Sequence, residues 1–170
     1  QSAPVFMQEP DSTLLCPGSL GEMQTISLLV GPASVSHDLV WQIEDANAPG
    51  GWRSLDDTLE YEALILPGAE ACGLYRYAAE GIVFDDLCPA VSGTRVRAVA
   101  SNGCGTTISA AASLTICIGD FNCDGGIDGA DPTAFFEQWE AGDATADVNE
   151  DGGIDGSDVV AFFDRWEGGC

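Results

Sequence analysis

Apolar residues in the first two thirds of the chain fall in short runs broken by Gly, Pro, Asn and Asp, and several runs alternate with polar neighbours. A period of two over about four to eight residues marks a half-buried strand, because successive side chains point to opposite faces. The pattern predicts strands at Val5–Gln8, Gln24–Val30, Leu39–Glu44, Tyr61–Leu66, Leu74–Ala78, Arg95–Ser101 and Thr106–Ile116. Alternation in Leu39–Glu44 puts Trp41 and Ile43 on a core face. In Arg95–Ser101 it puts Arg95 and Arg97 on the solvent face, opposite Val96 and Ala98. Asn102 followed by Gly103 is a tight-turn signal between the last two runs. Residues 1–117 therefore read as an all-β sandwich.

The pattern changes at residue 118. Two stretches repeat at a spacing of 27 residues, DFNCDGGIDGAD at 120–131 and DVNEDGGIDGSD at 147–158. Each runs into an aromatic segment, AFFEQW at 134–139 or AFFDRW at 161–166. Phe135, Phe136 and Trp139, and likewise Phe162, Phe163 and Trp166, fall at i, i+1 and i+4, which predicts one apolar helix face in each copy. Asp131 and Asp158 are expected to start the two helices, where a carboxylate faces the positive end of the helix dipole. Pro132 suits the first helical position. The two aromatic faces are expected to pack together as the core of a small domain over residues 118–170.

Charge sharpens this division. The chain has 170 residues, no lysine and a formal charge of −23. Up to Cys117 there are 14 acidic residues against four arginines; beyond it there are 14 against one, Arg165, in less than half the length. No basic face can be assembled to displace counterions from nucleic acid or to hold an anionic membrane surface. No apolar stretch long enough to insert in a membrane is visible either. So many carboxylates in a compact unit repel one another unless a cation neutralises them.

The repeat supplies a reason for them. Loop positions 1, 3, 5, 9 and 12 are Asp120, Asn122, Asp124, Asp128 and Asp131 in one copy, and Asp147, Asn149, Asp151, Asp155 and Asp158 in the other. Gly125 and Gly152 occupy position 6, where an EF-hand-type calcium loop turns sharply, and Gly126 and Gly153 at position 7 need offer only a backbone carbonyl. An all-oxygen set favours calcium over softer metals, and Cys123 at position 4 is not a ligand position. Two calcium ions per chain are expected. Asp at position 12 reaches less far than the usual bidentate Glu, and Ile127 and Ile154 at position 8 could pair the loops.

This duplicated loop–helix arrangement resembles a dockerin domain, and the ending Trp166 to Cys170 is similar to the GC-type dockerins at the C-termini of secreted bacterial proteins. The resemblance covers about residues 118–170. It implies calcium in both loops and a cohesin-like scaffold as partner, read through positions 10 and 11, here Gly129 with Ala130 and Gly156 with Ser157. The first 117 residues resemble a bacterial immunoglobulin-like domain. VRAVASNGCG at 96–105 is similar to the Tyr-x-Cys-x-Ala-x-Asn stretch of that family, with Val96 and Ala98 replacing Tyr and Cys, and Cys16 and Trp41 fit the same pattern. The usual inter-sheet disulfide cannot form, so a Cys16–Cys104 bridge is expected in its place.

Seven cysteines without a CxxC motif point to an oxidising compartment. The expected bridges are Cys16–Cys104, Cys72–Cys88 and Cys123–Cys170. Cys117 is then spare, or exchanges roles with Cys123. Gln1 and Ser2 read as a start exposed by signal-peptide removal, which with the cysteines and loops places the protein outside the cell or on its surface.

No catalytic constellation emerges. Ser36, His37 and Asp38 are sequence neighbours whose side chains diverge, so they cannot form a relay. The expectation is a non-enzyme. A sandwich joined only to a docking-type unit carries no cargo to display, which makes the sandwich itself a candidate building block. The run around Val5, Phe6 and Met7, bounded by prolines, can pair with its own sheet or be donated to another copy, and donation would build a head-to-tail filament. The alternatives are a monomeric module held on a cohesin-type scaffold and, more weakly, a carbohydrate-binding protein using Trp52.

Overall fold

In the computed structural model the described residues are 2–19, 23–31, 36–55, 62–66, 71–78, 81–85, 87 and 91–170, without the side chains at positions 19, 71, 72 and 78. The chain divides into two compact units, Gln1–Thr13 with Glu22–Thr115, and Leu14–Gly21 with Ile116–Cys170.

The first unit is mostly β, in sandwich-like sheets. Its strands are β1 (Val5–Gln8), β2 (Thr13–Leu15, continuing into the second unit), β3 (Gln24–Ser27), β4 (Leu29–Gly31), β5 (Asp38–Glu44), β6 (Trp52–Ser54), β7 (Glu62–Ile65), β8 (Ala71–Ala78), β9 (Gly81–Asp85), β10 (Thr94–Asn102), β11 (Gly105–Ile108) and β12 (Ala112–Ile116). One sheet runs β2–β12–β10–β5–β6 with β11 beside β10, a second runs β3–β9–β8–β7, and β1 pairs with β4. The described pairings are antiparallel.

The predicted faces hold. Trp41, Ile43, Val96 and Ala98 are fully buried, while Arg95 is exposed. Asn102 pairs with Gly105 at the base of the β10–β11 turn, and its side-chain carbonyl accepts the Cys104 N–H. Tyr77 links the two larger sheets. From β8 its hydroxyl accepts the Trp41 N–H of β5 at 2.7 Å and donates to the Leu55 carbonyl at 3.0 Å. Burying two backbone groups is inexpensive only if each finds such a partner.

Two predicted strands are each two strands in the structure. Gln24–Val30 breaks at buried Leu28, where the chain leaves β9 for β1. Thr106–Ile116 breaks at Ser109, whose hydroxyl takes the Ala98 N–H at 2.9 Å in place of a ladder bond. Three strands escaped the sequence pattern, namely β2, β6 and β9. Strand β9 is buried at four consecutive positions, Gly81 to Phe84, so it shows no alternation.

Gly81 pairs with Ser27, and a Cβ added at Gly81 would run into the Ile26 carbonyl. Replacing Gly81 with Ala should lower the unfolding free energy by about 1–3 kcal/mol, the usual range for forcing extra volume into a packed site. Urea denaturation followed by Trp fluorescence measures it. An unchanged midpoint would contradict the close β3–β9 approach.

Candidate metal centre

The two loops fold alike because each Asp in them meets backbone N–H groups of its own loop. Asp131, fully buried, accepts the Asn122 N–H at 3.1 Å and the Asp128 N–H at 2.8 Å. Its repeat mate Asp158, also fully buried, accepts the Asn149 N–H at 3.3 Å and the Asp155 N–H at 2.8 Å. Asp124 and Asp151 each accept from the glycine two residues on, Gly126 and Gly153. The backbone is left-handed at position 4 in both copies, φ 63° at Cys123 and 60° at Glu150, and again at the position-6 glycines, φ 89° and 84°. A left-handed glycine carries no side-chain penalty, which explains its presence at the tightest part of the turn.

The helices are α1 (Ala130–Ala141) and α2 (Gly156–Gly168). α1 begins one residue, and α2 two residues, before the aspartate expected to start it. Asp131 and Asp158 lie inside the first turn, Pro132 is the third helical residue, and Asp155 caps α2 through the Ser157 N–H with Asp158 completing a reciprocal capping box. The Ser157 amide, and then its hydroxyl, hold the Asp155 carboxyl below its ordinary pKa, so it stays ionised through mild acidification. Gly142, left-handed at φ 69°, ends α1.

Aromatic packing follows the pattern in part. Phe135 and Phe162 stack face to face at 4.3 Å, and Phe121 meets both edge-on at 5.4 and 5.8 Å. Phe136 stays 36% exposed, so the predicted triplet is not a fully buried face. The tryptophans do something the period could not show. Trp139 Nε1–H donates to the Asp155 carbonyl at 2.9 Å, and Trp166 Nε1–H donates to the Asp128 carbonyl at 3.0 Å. Ile127 and Ile154 lie outside any strand; Ile127 packs against Gly119.

Cysteine pairing differs from expectation. Cys16 bonds to Cys123, and Cys117 bonds to Cys170, with Cys104 exposed in the β10–β11 turn. The expected Cys16–Cys104 and Cys123–Cys170 bridges are therefore corrected. The left-handed position 4 of the first loop carries Cys123 to the segment after β2, where Cys16 lies, and Cys117 takes the place expected for Cys123 beside Cys170, without leaving Cys123 spare. The expected Cys72–Cys88 bridge lies outside the described residues.

Do these loops fit a cation? Among the described residues no three His, Cys, Asp or Glu side chains converge as a ready-made cage. The carboxylates are instead turned to backbone amides, and the Asn122 and Asn149 amide groups donate to Asp124 and Asp151 at 2.9 and 3.0 Å. One oxygen is left over. Asp147 Oδ1 is buried and has no hydrogen-bond partner, although Oδ2 of the same carboxylate takes the Gly152 N–H. A buried, unsatisfied carboxylate oxygen is costly, and a bound cation would satisfy it. An all-oxygen set around Asp147 would suit a hard divalent ion, whereas in the first loop both Asp120 oxygens take backbone N–H groups, of Asp124 and Gly125.

Other sequence candidates are placed as follows. Val5 and Met7 are exposed and Phe6 half-buried, on a strand paired with β4 of the same chain. The Pro4 carbonyl also accepts the Thr107 hydroxyl at 2.6 Å. Trp52 opens β6 rather than lying in a loop, and the Arg97 guanidinium covers its ring at 4.1 Å, which takes one face from any sugar. Ser36, His37 and Asp38 line a surface hollow of about 280 Å³ with Ser101, Asn102 and Gly103. No described helix is long and apolar enough to cross a membrane.

Neither a protein-family model nor a curated protein sequence matches this chain. Among solved structures it is similar to the N-terminal four Ig domains of Dscam1 isoform 4.44, at 16% identity over 71% of this chain and 27% of that one, with a TM-score of 0.47. It is similar to the N-terminal Ig1-2 module of the Drosophila receptor protein tyrosine phosphatase DLAR, at 18% identity over 69% of this chain and 50% of that one, with a TM-score of 0.44. Sidekick-1 immunoglobulin domains 1-5 match at 16% identity over 68% of this chain and 20% of that one, with a TM-score of 0.42. The chain spans half or less of each.

Peptide mapping without reduction should recover Cys16 linked to Cys123 and Cys117 linked to Cys170. The second bridge spans a sequence separation of 53 residues. Changing Cys117 and Cys170 together to Ser should cost about 4 kcal/mol by loop-closure entropy, read from chemical denaturation. Recovery of a Cys16–Cys104 peptide would overturn the pairing.

Proposed function

We propose that the protein is an exported, calcium-stabilised structural or adhesive subunit, with an immunoglobulin-like sandwich carried beside a dockerin-like, duplicated loop–helix unit. The observation that carries the metal half of this reading is the buried Asp147 Oδ1 without a donor, in a loop that shares its left-handed positions 4 and 6 with its repeat mate. Asp120, Asn122, Asp124, Asp128 and Asp131, with the Gly126 carbonyl, would hold one ion. Asp147, Asn149, Asp151, Asp155 and Asp158, with the Gly153 carbonyl, would hold the other. Calcium would supply positive charge where Arg165 is the sole fixed cation beyond Cys117. Disulfides in the same unit suit the oxidising, calcium-rich exterior of a cell.

Assembly is the second half of the proposal. Strand β1 is four residues long, pairs among the described residues with three-residue β4, and exposes Val5 at 56% and Met7 at 69%. A short edge strand of this kind can exchange between copies, and exchange without closure gives a head-to-tail filament. The alternative is a monomer held by a cohesin-like scaffold. Gly129, Ala130, Gly156 and Ser157 support it, since all four are exposed at the helix N-termini.

Isothermal titration should find two calcium ions per chain, and replacing Asp120 and Asp124 with Ala should remove one of them. Retention of both in that variant would sink the ligand assignment. Electron microscopy with calcium and with chelator tests assembly. Filaments that vanish when residues 1–10 are removed support strand exchange; a monodisperse protein in both conditions that captures a cohesin favours the scaffold reading.

A further inference from the structure

The two tryptophan bonds form a closed circuit. Asp128, at position 9 of the first loop, accepts the Ala130 N–H at 2.7 Å and so holds the N-terminus of α1. The far end of α1 carries Trp139, whose indole N–H holds the carbonyl of Asp155, position 9 of the second loop. Asp155 in turn accepts the Ser157 N–H at 2.7 Å and caps α2. Trp166, near the end of α2, returns to the carbonyl of Asp128. All four links have their mates at the repeat spacing of 27 residues.

Each indole is fixed in direction by its own helix. Trp139 meets Phe136 edge-on at 6.3 Å, and Trp166 meets Phe163 at 6.0 Å. Packing alone could be satisfied by phenylalanine. A tryptophan that aims its N–H at the same carbonyl in both copies, and in each case at the loop of the other repeat, adds an orientation that packing does not need.

We infer that Trp139 and Trp166 are positioning residues that couple the two loops, so that calcium in one loop raises the affinity of the other. The inference rests on the calcium reading above. The first ion bears the cost of ordering its own loop. Through position 9, the adjoining helix and the indole N–H, the same ordering restricts the second loop before its ion arrives, and such coupling is reciprocal. The circuit also makes the effect of each tryptophan crossed: Trp166 acts on the first loop, and Trp139, which directly follows that loop in sequence, acts on the second.

Single-loop proteins isolate the effect. Asp151→Ala leaves the first loop, and Asp124→Ala leaves the second. Calcium titrated by calorimetry into Asp151→Ala with Trp166→Phe should show a Kd about fivefold weaker than Asp151→Ala alone, the loss expected for one hydrogen bond. Trp166→Phe in the Asp124→Ala background should leave Kd little changed, and Trp139→Phe should give the opposite pair of results. With both loops intact, the double Phe variant should bind two ions without positive cooperativity. Phe keeps the ring, and near-ultraviolet circular dichroism without calcium confirms that each variant is folded. Equal loss in both loops, loss only in the uncrossed loop, or no loss in either overturns the coupling while leaving the metal sites standing. Failure of the unmodified protein to take up calcium removes the metal reading, and the inference falls with it.

Discussion

The second unit depends on hydrogen bonds from backbone amides to aspartate carboxylates. Fourteen acidic residues after Cys117 would repel one another in any compact arrangement. Asp131 and Asp158 are nevertheless fully buried, each anchored by two backbone N–H donors, one from position 3 and one from position 9 of its loop. Charge-assisted bonds of this kind are the strong ones, and they turn a liability into the device that shapes the loop. The helix N-termini are held by the same placement, since Asp131 and Asp158 lie in the first turns of α1 and α2.

Aromatic packing then joins the copies. Phe135 and Phe162 are repeat mates that stack at 4.3 Å, with Phe121 across their edges, so the duplicate is held through its own internal symmetry. A lone loop–helix could not bury Phe135 or Phe162; two together bury both. The disulfides act at the margins of this core, one joining the residues near the unit's two ends and one reaching from the first loop to the segment after β2. The two loops are consequently unequal. Position 4 is a covalently tied cysteine in the first and a glutamate in the second, with the same backbone angle at each.

In the first unit the comparable role falls to Tyr77 and Trp41. The tryptophan fills the core, and the tyrosine hydroxyl meets two backbone groups of the opposing sheet. Nothing in the run Leu74–Ala78 distinguishes Tyr77 from an ordinary β-forming aromatic, because its partners lie 36 and 22 residues away. Trp52 shows the converse. Its position in sequence suits an exposed platform, yet β6 pairs with β5 and β5 with β10, which brings Trp52 within reach of Arg97, whose guanidinium covers it.

The amino-acid sequence by itself determined what depends on neighbours within about a dozen residues. The duplicated Asp/Asn/Gly loops, the position-6 glycines, the inward faces of β5 and β10 and the turn at Asn102 were legible for that reason. Tertiary structure decided whatever joins distant residues. Cys16 meets Cys123 at a separation of 107 residues, β1 pairs with β4, and each tryptophan reaches the loop of the other repeat. Local periodicity carries the direction of a side chain from its own element but not the identity of the atom it will meet, since that is fixed only when elements pack.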